Sequence, residues 1–162
     1  MTFESTLGIA MALYLEFERI VRCFEKAKLR YAVVGGLAVG LHGYVRATQD
    51  MDFLMHPQDL PKAETALLQL GYRANPAVQE FVHAKLTLKR FFKRLPKEDD
   101  LMLVDLLVPG SARMQRMLAR AISIPFGKGS IRVVTARDLV AMKRLRGSAP
   151  DRADIEFLRK QP

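Results

Sequence analysis

Apolar residues recur every three or four positions at the start of the chain: Ile9, Leu13, Phe17, Ile20 and Phe24. That is the spacing of one helical face, and it predicts one or two helices over residues 3 to 29. The pattern then tightens into a continuous apolar run, Tyr31 to Val34, which reads as a short strand stopped by Gly35 and Gly36. Leu37 to His42 can form a short helix ended by Gly43. Met51 to Met55 is a second strand. Residues 57 to 70 predict a helix closed by Gly71.

Residues 84 to 94 and 101 to 108 read as two strands of a hairpin around the sequence PKEDD. In the first, Lys85, Thr87 and Lys89 alternate with Leu86 and Leu88. The second, LMLVDLLV, is apolar on both faces, as a central strand is. A basic helix over 111 to 121 follows. Two short strands, 122 to 126 and 131 to 134, pair across GKGS. Thr135 with Asp138 three residues on is an acidic variant of the capping box and starts another helix. A last helix begins near Pro150. There is no repeat and no linker, so the expectation is one α/β domain over residues 1 to 162.

The chain has 162 residues and is 49% hydrophobic, which excludes a disordered or low-complexity protein. Its formal charge of +9 makes a polyanion partner plausible, either a nucleoside triphosphate or RNA. Cys23 is the single cysteine, so an internal disulfide and a cysteine-based zinc cluster are excluded. The apolar stretch 7 to 15 is too short to span a bilayer. Glu4 precedes it without a basic leader, so no signal peptide and no membrane association are expected, and the default location is cytoplasmic.

The chemistry concentrates in VVGGLAVGLHGYVRATQDMDFLM, residues 33 to 55. Asp50 and Asp52 are one residue apart, so on a strand they share a face. Like charges side by side are costly unless a cation or a buried proton offsets them. Asp105 interrupts the apolar run LMLVDLLV and needs a partner of opposite charge if buried. If its strand lies beside that of Asp50 and Asp52, three carboxylates converge on a site for Mg²⁺. Such a site holds a triphosphate and activates an attacking hydroxyl. The alternative is an Asp105 at a strand end, bound to a backbone amide or an arginine.

Gly35 and Gly36 let the backbone approach phosphates closely. Arg46 offers a bidentate phosphate grip, or is a surface loop residue. Thr48 supports the turn into the strand. Lys143, on an apolar helical face with Leu139, Val140 and Met142, reads as a phosphate or base contact, with a snorkelling lysine as the alternative. His42, His56 and His83 have no ligand spacing and read as structural or surface residues. The run Lys85, Lys89, Arg90, Lys93, Arg94 and Lys97, with Phe91 and Phe92, reads either as a single-stranded RNA surface or as one solvated strand face.

Taken in order (strand, Gly-Gly, short helix, Arg46, Thr48, Asp50, Asp52, distant Asp105), these residues resemble the nucleotidyltransferase superfamily with the DNA polymerase beta fold. The closer resemblance is to small bacterial and archaeal nucleotidyltransferases of the toxin–antitoxin type, from about residue 20 to the end. Lys143, Asp151 and Asp154 match a lysine helix followed by an Asp-x-x-Asp helix in such proteins. The resemblance implies a mixed β-sheet flanked by helices, an α/β (α+β) fold with helical N- and C-terminal segments. It implies Mg²⁺ and transfer of a nucleoside monophosphate from a nucleoside triphosphate to a hydroxyl, with pyrophosphate leaving. Gly35 and Gly36 would cradle the phosphates, with Arg46, Thr48 and Lys143 as further nucleotide contacts. Asp50 and Asp52 would bind the metals, and Asp105 would complete the second metal site and deprotonate the acceptor.

The implied acceptor is a tRNA end or a protein hydroxyl, in a toxin that has a cognate antitoxin. A small-molecule acceptor is expected to need an added domain, for which this chain has little room. One departure stands out. Many active members carry serine directly after the Gly-Gly, and here that residue is Leu37. The alternative is therefore a degenerate module that binds nucleotide or a partner protein without turnover.

Overall fold

The computed structural model describes residues 3–44, 47–83, 85–95, 101–146 and 149–160. A long helix α1 (Phe3–Lys26) leads into β1 (Tyr31–Val34), α2 (Gly35–Leu41) and β2 (Asp50–Met55). A 3-10 turn (Pro57–Asp59) precedes α3 (Leu60–Gln69). Three strands follow: β3 (Arg73–Phe81), β4 (Leu86–Arg94) and β5 (Leu101–Pro109). The chain ends with α4 (Ala112–Ala119), β6 (Ile122–Phe126), β7 (Gly129–Val133), α5 (Ala136–Arg146) and α6 (Ala149–Leu158).

The strands form one mixed sheet in the order β3-β4-β5-β2-β1-β7-β6. β1 runs antiparallel to β2 and parallel to β7, while β2 runs parallel to β5. The mixed sheet flanked by helices is the expected fold class. The central position of β5 explains why LMLVDLLV carries no polar face apart from its single aspartate.

Alternation along β2 divides the sheet into two sides. Met51, Phe53 and Met55 are fully buried. Phe53 lies against the rings of Phe17 and Phe24, so this side is covered by α1. Glu16 ties α1 to the sheet: it accepts hydrogen bonds from the Tyr72 hydroxyl at 2.9 Å and from Lys93 Nζ at 2.9 and 3.0 Å. Lys89 Nζ likewise reaches Glu64 of α3 at 2.6 Å. Asp50 and Asp52 point to the opposite side.

A clamp joins the entry to β1 with the start of α3. Arg30 donates from Nε to Asp59 Oδ2 at 2.7 Å, from its guanidinium to Oδ1 at 3.1 Å, and from its backbone N–H at 2.9 Å. Those bonds hold the Asp59 carboxyl well down, at about 2, although its partial burial pushes the other way.

Three local expectations are revised. The helix predicted from Leu37 starts at Gly35, directly off β1, with extended Val34 as its N-cap. Residues 57 to 70 do not form one helix. His56 Nδ1 accepts from the Gln58 N–H and caps a separate 3-10 turn before α3. β3 was not foreseen. All nine of its residues are exposed, so it has no apolar alternation, and it carries Pro76 and a register shift between Ala74 and Val78. Such a strand survives only at a sheet edge, where it sits. The turn sequence PKEDD lies outside the described residues.

Candidate active site

β1, β2 and β5 bring the predicted residues together. In the β2–β5 ladder Asp52 stands directly opposite Asp105, and in the β1–β2 ladder Val34 stands opposite Asp52. The residue after Val34 is Gly35, with φ +68, a conformation L side chains rarely adopt. A Cβ at Gly35 would overlap the Asp52 carboxylate. Glycine is therefore required here twice, by its backbone angle and by the carboxylate packed on it. The first turn of α2 starts at this point.

Asp105 is buried, yet it does not sit at a strand end. Its two oxygens accept from Arg90 Nε at 2.8 Å and from the Arg90 guanidinium at 2.7 Å. Arg90 lies across the β4–β5 ladder, directly opposite Asp105. The bond to Asp105 raises the pKa of the Arg90 guanidinium; burial opposes this, and the charges of Asp105, Asp50 and Asp52 add to it. Arg90 thus shares the electrostatic field of all three carboxylates.

This corrects the expected three-carboxylate cluster. Among the described residues no group of three or more His, Cys, Asp or Glu side chains is placed to hold a metal ion. The partner of Asp105 in this structure is an arginine, one of the two outcomes its burial allowed. Arg90 was read only as part of a basic run. Its one-to-one register with Asp105 is a tertiary fact that the letters do not carry.

The same run is not a free RNA surface: Lys89, Arg90 and Lys93 are each committed to a carboxylate, Glu64, Asp105 and Glu16 respectively. Thr48 Oγ1 lies 3.4 Å from the Asp50 carbonyl oxygen, to which it donates, as a residue supporting the strand start does. Arg46 lies outside the described residues. His42 is structural, its Nε2 2.9 Å from the Val134 carbonyl.

Lys143 is corrected more strongly. It is 5% exposed, and its Nζ lies 3.2 Å from Asp151 and 2.7 Å from Asp154, both almost completely buried. The lysine bridges α5 to α6 and presents no cation to a ligand. Asp151 and Asp154 are themselves fully buried.

A mixed sheet with Gly-Gly closing on a D-x-D strand agrees with the resemblance to nucleotidyltransferases. The chain belongs to the family described as uncharacterised nucleotidyltransferases, whose model matches residues 6–148. No curated protein sequence matches it. Among solved structures it is similar to the lincosamide antibiotic adenylyltransferase LnuA in its lincomycin-bound form, at 16% identity and TM-score 0.60, over 88% of this chain and 94% of that one. It is also similar to ANT(2'')-Ia in complex with adenylyl-2''-tobramycin, at 14% identity and TM-score 0.61, over 90% and 86% of the two chains. A candidate nucleotidyltransferase from Thermotoga maritima matches at 14% identity and TM-score 0.55, over 99% and 94%. At these identities the likeness shows the fold.

Proposed function

We propose that this nucleotidyltransferase moves a nucleoside monophosphate from a nucleoside triphosphate to a hydroxyl of RNA, with a divalent cation held at Asp50 and Asp52. The observation that carries the reading is the packing of Gly35 on Asp52: backbone and carboxylate close on one point, and the charge of Asp50 is added on the same strand face. Two hard oxygen donors on one face suit Mg²⁺, which takes one or two carboxylates and fills its remaining positions with water and substrate phosphates. When bound, that ion would neutralise the triphosphate and stabilise departing pyrophosphate. Asp50 and Asp52 would orient it. The backbone at Gly35 and Gly36 would face the phosphates. Asp105, set against Asp52 and oriented by Arg90, is the candidate to take the acceptor proton.

The charge of +9 supports an RNA acceptor such as a tRNA end, and the resemblance to toxin-like members adds a cognate antitoxin to the reading. A second reading, a small hydroxylated acceptor, is favoured by the size match to LnuA. Incubation with each α-labelled nucleoside triphosphate, Mg²⁺ and bulk RNA tests the proposal. Label on RNA that disappears in Asp50→Ala supports it. Label that appears only when a small hydroxylated acceptor or a protein is added overturns the RNA acceptor. No label with any acceptor, from a folded protein, points to a non-catalytic module and to Leu37.

A further inference from the structure

Away from the carboxylates, α4, α5 and the end of α6 enclose a groove of about 820 Å³. Six exposed arginines line it: Arg113 and Arg116 on α4 with Arg120 at its C-cap, Arg137 and Arg144 on α5, and Arg159 beyond α6. The α4 arginines fall at i, i+3 and i+7 on one face of their helix, which Met114, Met117 and Leu118 anchor to the core. Among the described residues the only acidic lining residue is Asp138, and both its oxygens are taken by Arg120. Among the described residues the other five arginines form no ion pair. Five like charges facing one recess repel each other, and a bound polyanion removes that cost.

We propose that this groove grips the phosphate backbone of the acceptor RNA. The inference rests on the RNA reading above and assigns the RNA a holding surface separate from the reacting residues. Length argues for a chain of phosphates rather than one small anion. An i to i+7 stripe spans about 10 Å of helix. Arg116 also lines a second groove of about 790 Å³, together with Lys28 and Arg132, so the positive lining continues past α4. Guanidinium groups suit this task because they bind phosphate oxygens in pairs and stack on bases. A planar anionic bilayer cannot enter a recess walled by three helices, whereas a nucleic-acid strand can.

Fluorescence anisotropy with labelled tRNA and a short single-stranded RNA, over a salt series, tests the groove. The triple variant Arg113→Gln, Arg144→Gln, Arg159→Gln spares the Arg120–Asp138 pair. It should bind RNA at least about tenfold more weakly, and its slope of log affinity against log salt should fall by about 2, near 0.7 per lost contact on a single strand. The corresponding triple lysine variant should keep most of the affinity. Binding of a fluorescent nucleoside triphosphate analogue should not change in either. The single variants Arg113→Gln and Arg144→Gln, at exposed positions, give the same direction if the triple variant folds poorly.

An unchanged affinity and slope in the glutamine variants overturns the groove. So does arginine-dependent capture by phosphatidylglycerol vesicles in place of RNA. The underlying reading fails separately: a wild type that binds RNA through the groove but labels none of it keeps the surface and loses the acceptor assignment.

Discussion

Two clusters in this molecule combine carboxylates with a single cation, and they differ in access. At the β2–β5 face Asp105 is nearly sealed, with its side chain 4% exposed, but its partner Arg90 is 35% exposed. Asp50 and Asp52 are only partly buried beside it. Between α5 and α6 the Lys143, Asp151 and Asp154 side chains are exposed by 5%, 1% and 0%. The second cluster is closed to ligands and makes its contribution by holding two helices together. The first keeps acidic oxygens at a surface beside glycine backbone, where the proposed cation and triphosphate would bind. Charge composition alone does not separate a site from a strut; exposure does.

The largest test of this contrast is at the open cluster. On the proposed reading, Asp50→Ala or Asp52→Ala should lower transfer by about a thousandfold or more, since losing a carboxylate that holds the cation would forfeit several kcal/mol of transition-state stabilisation. Folding should be unaffected or slightly firmer, because one of two neighbouring like charges is gone. Label transfer and a urea titration, run on the same preparations, check both halves. Full transfer in both variants would remove the carboxylates from the mechanism.

The closed cluster should behave in the opposite way. Lys143→Met leaves Asp151 and Asp154 buried without their cation and should cost about 3–5 kcal/mol of stability. Urea unfolding measures this. If Lys143 instead served a phosphate, the variant would unfold normally and show a raised KM for the nucleoside triphosphate.

How much of this contrast could be read from the letters depends on the range of the interaction. The D-x-D strand and the preceding Gly-Gly are local, and the period-2 and turn rules place Asp50, Asp52 and Gly35 without a structure. The pairing of Asp105 with Asp52 was only conditional on the letters: an all-apolar strand belongs inside the sheet, but that it lies beside β2 is known from the structure. Arg90 was out of reach because its role depends on which residue of β5 it faces, and the register of a hairpin whose turn sequence is irregular is not set locally. Lys143 was misread for a related reason. Its partners sit at i, i+3 spacing on the next helix, and that spacing does signal a shared face. Whether the face looks outward or onto α5 is decided by packing. β3 gave no signal, since an edge strand exposed on both sides has no core to impose alternation.

A third substitution asks how tightly the open cluster is built. Gly35→Ala puts a methyl group where the Asp52 carboxylate lies and demands a positive φ from an L residue. The backbone conformation alone should cost about 1–3 kcal/mol. Transfer should fall by more than that loss of stability explains, because Asp52 must move. Thermal unfolding and labelling together separate the two effects. A variant with a lower melting temperature but normal transfer would show that the contact at Gly35 serves the fold only.

The smallest expected effect belongs to the Arg30–Asp59 clamp, which is intermediate between the two clusters, with side-chain exposures of 52% and 12%. The arginine holds the Asp59 carboxyl at about 2, below its ordinary 3.8. A folded-state pKa below the unfolded one contributes stability that is fully present above about pH 4 and disappears as the pH falls towards 2. Asp59→Asn should therefore be less stable than wild type at neutral pH, and the difference should narrow steadily below pH 4. Urea midpoints measured from pH 7 down to the acid limit would show it. Parallel curves for the two proteins would mean that the clamp's bonds act as neutral packing, and that half-exposed ion pairs in this fold belong with neither the open site nor the buried strut.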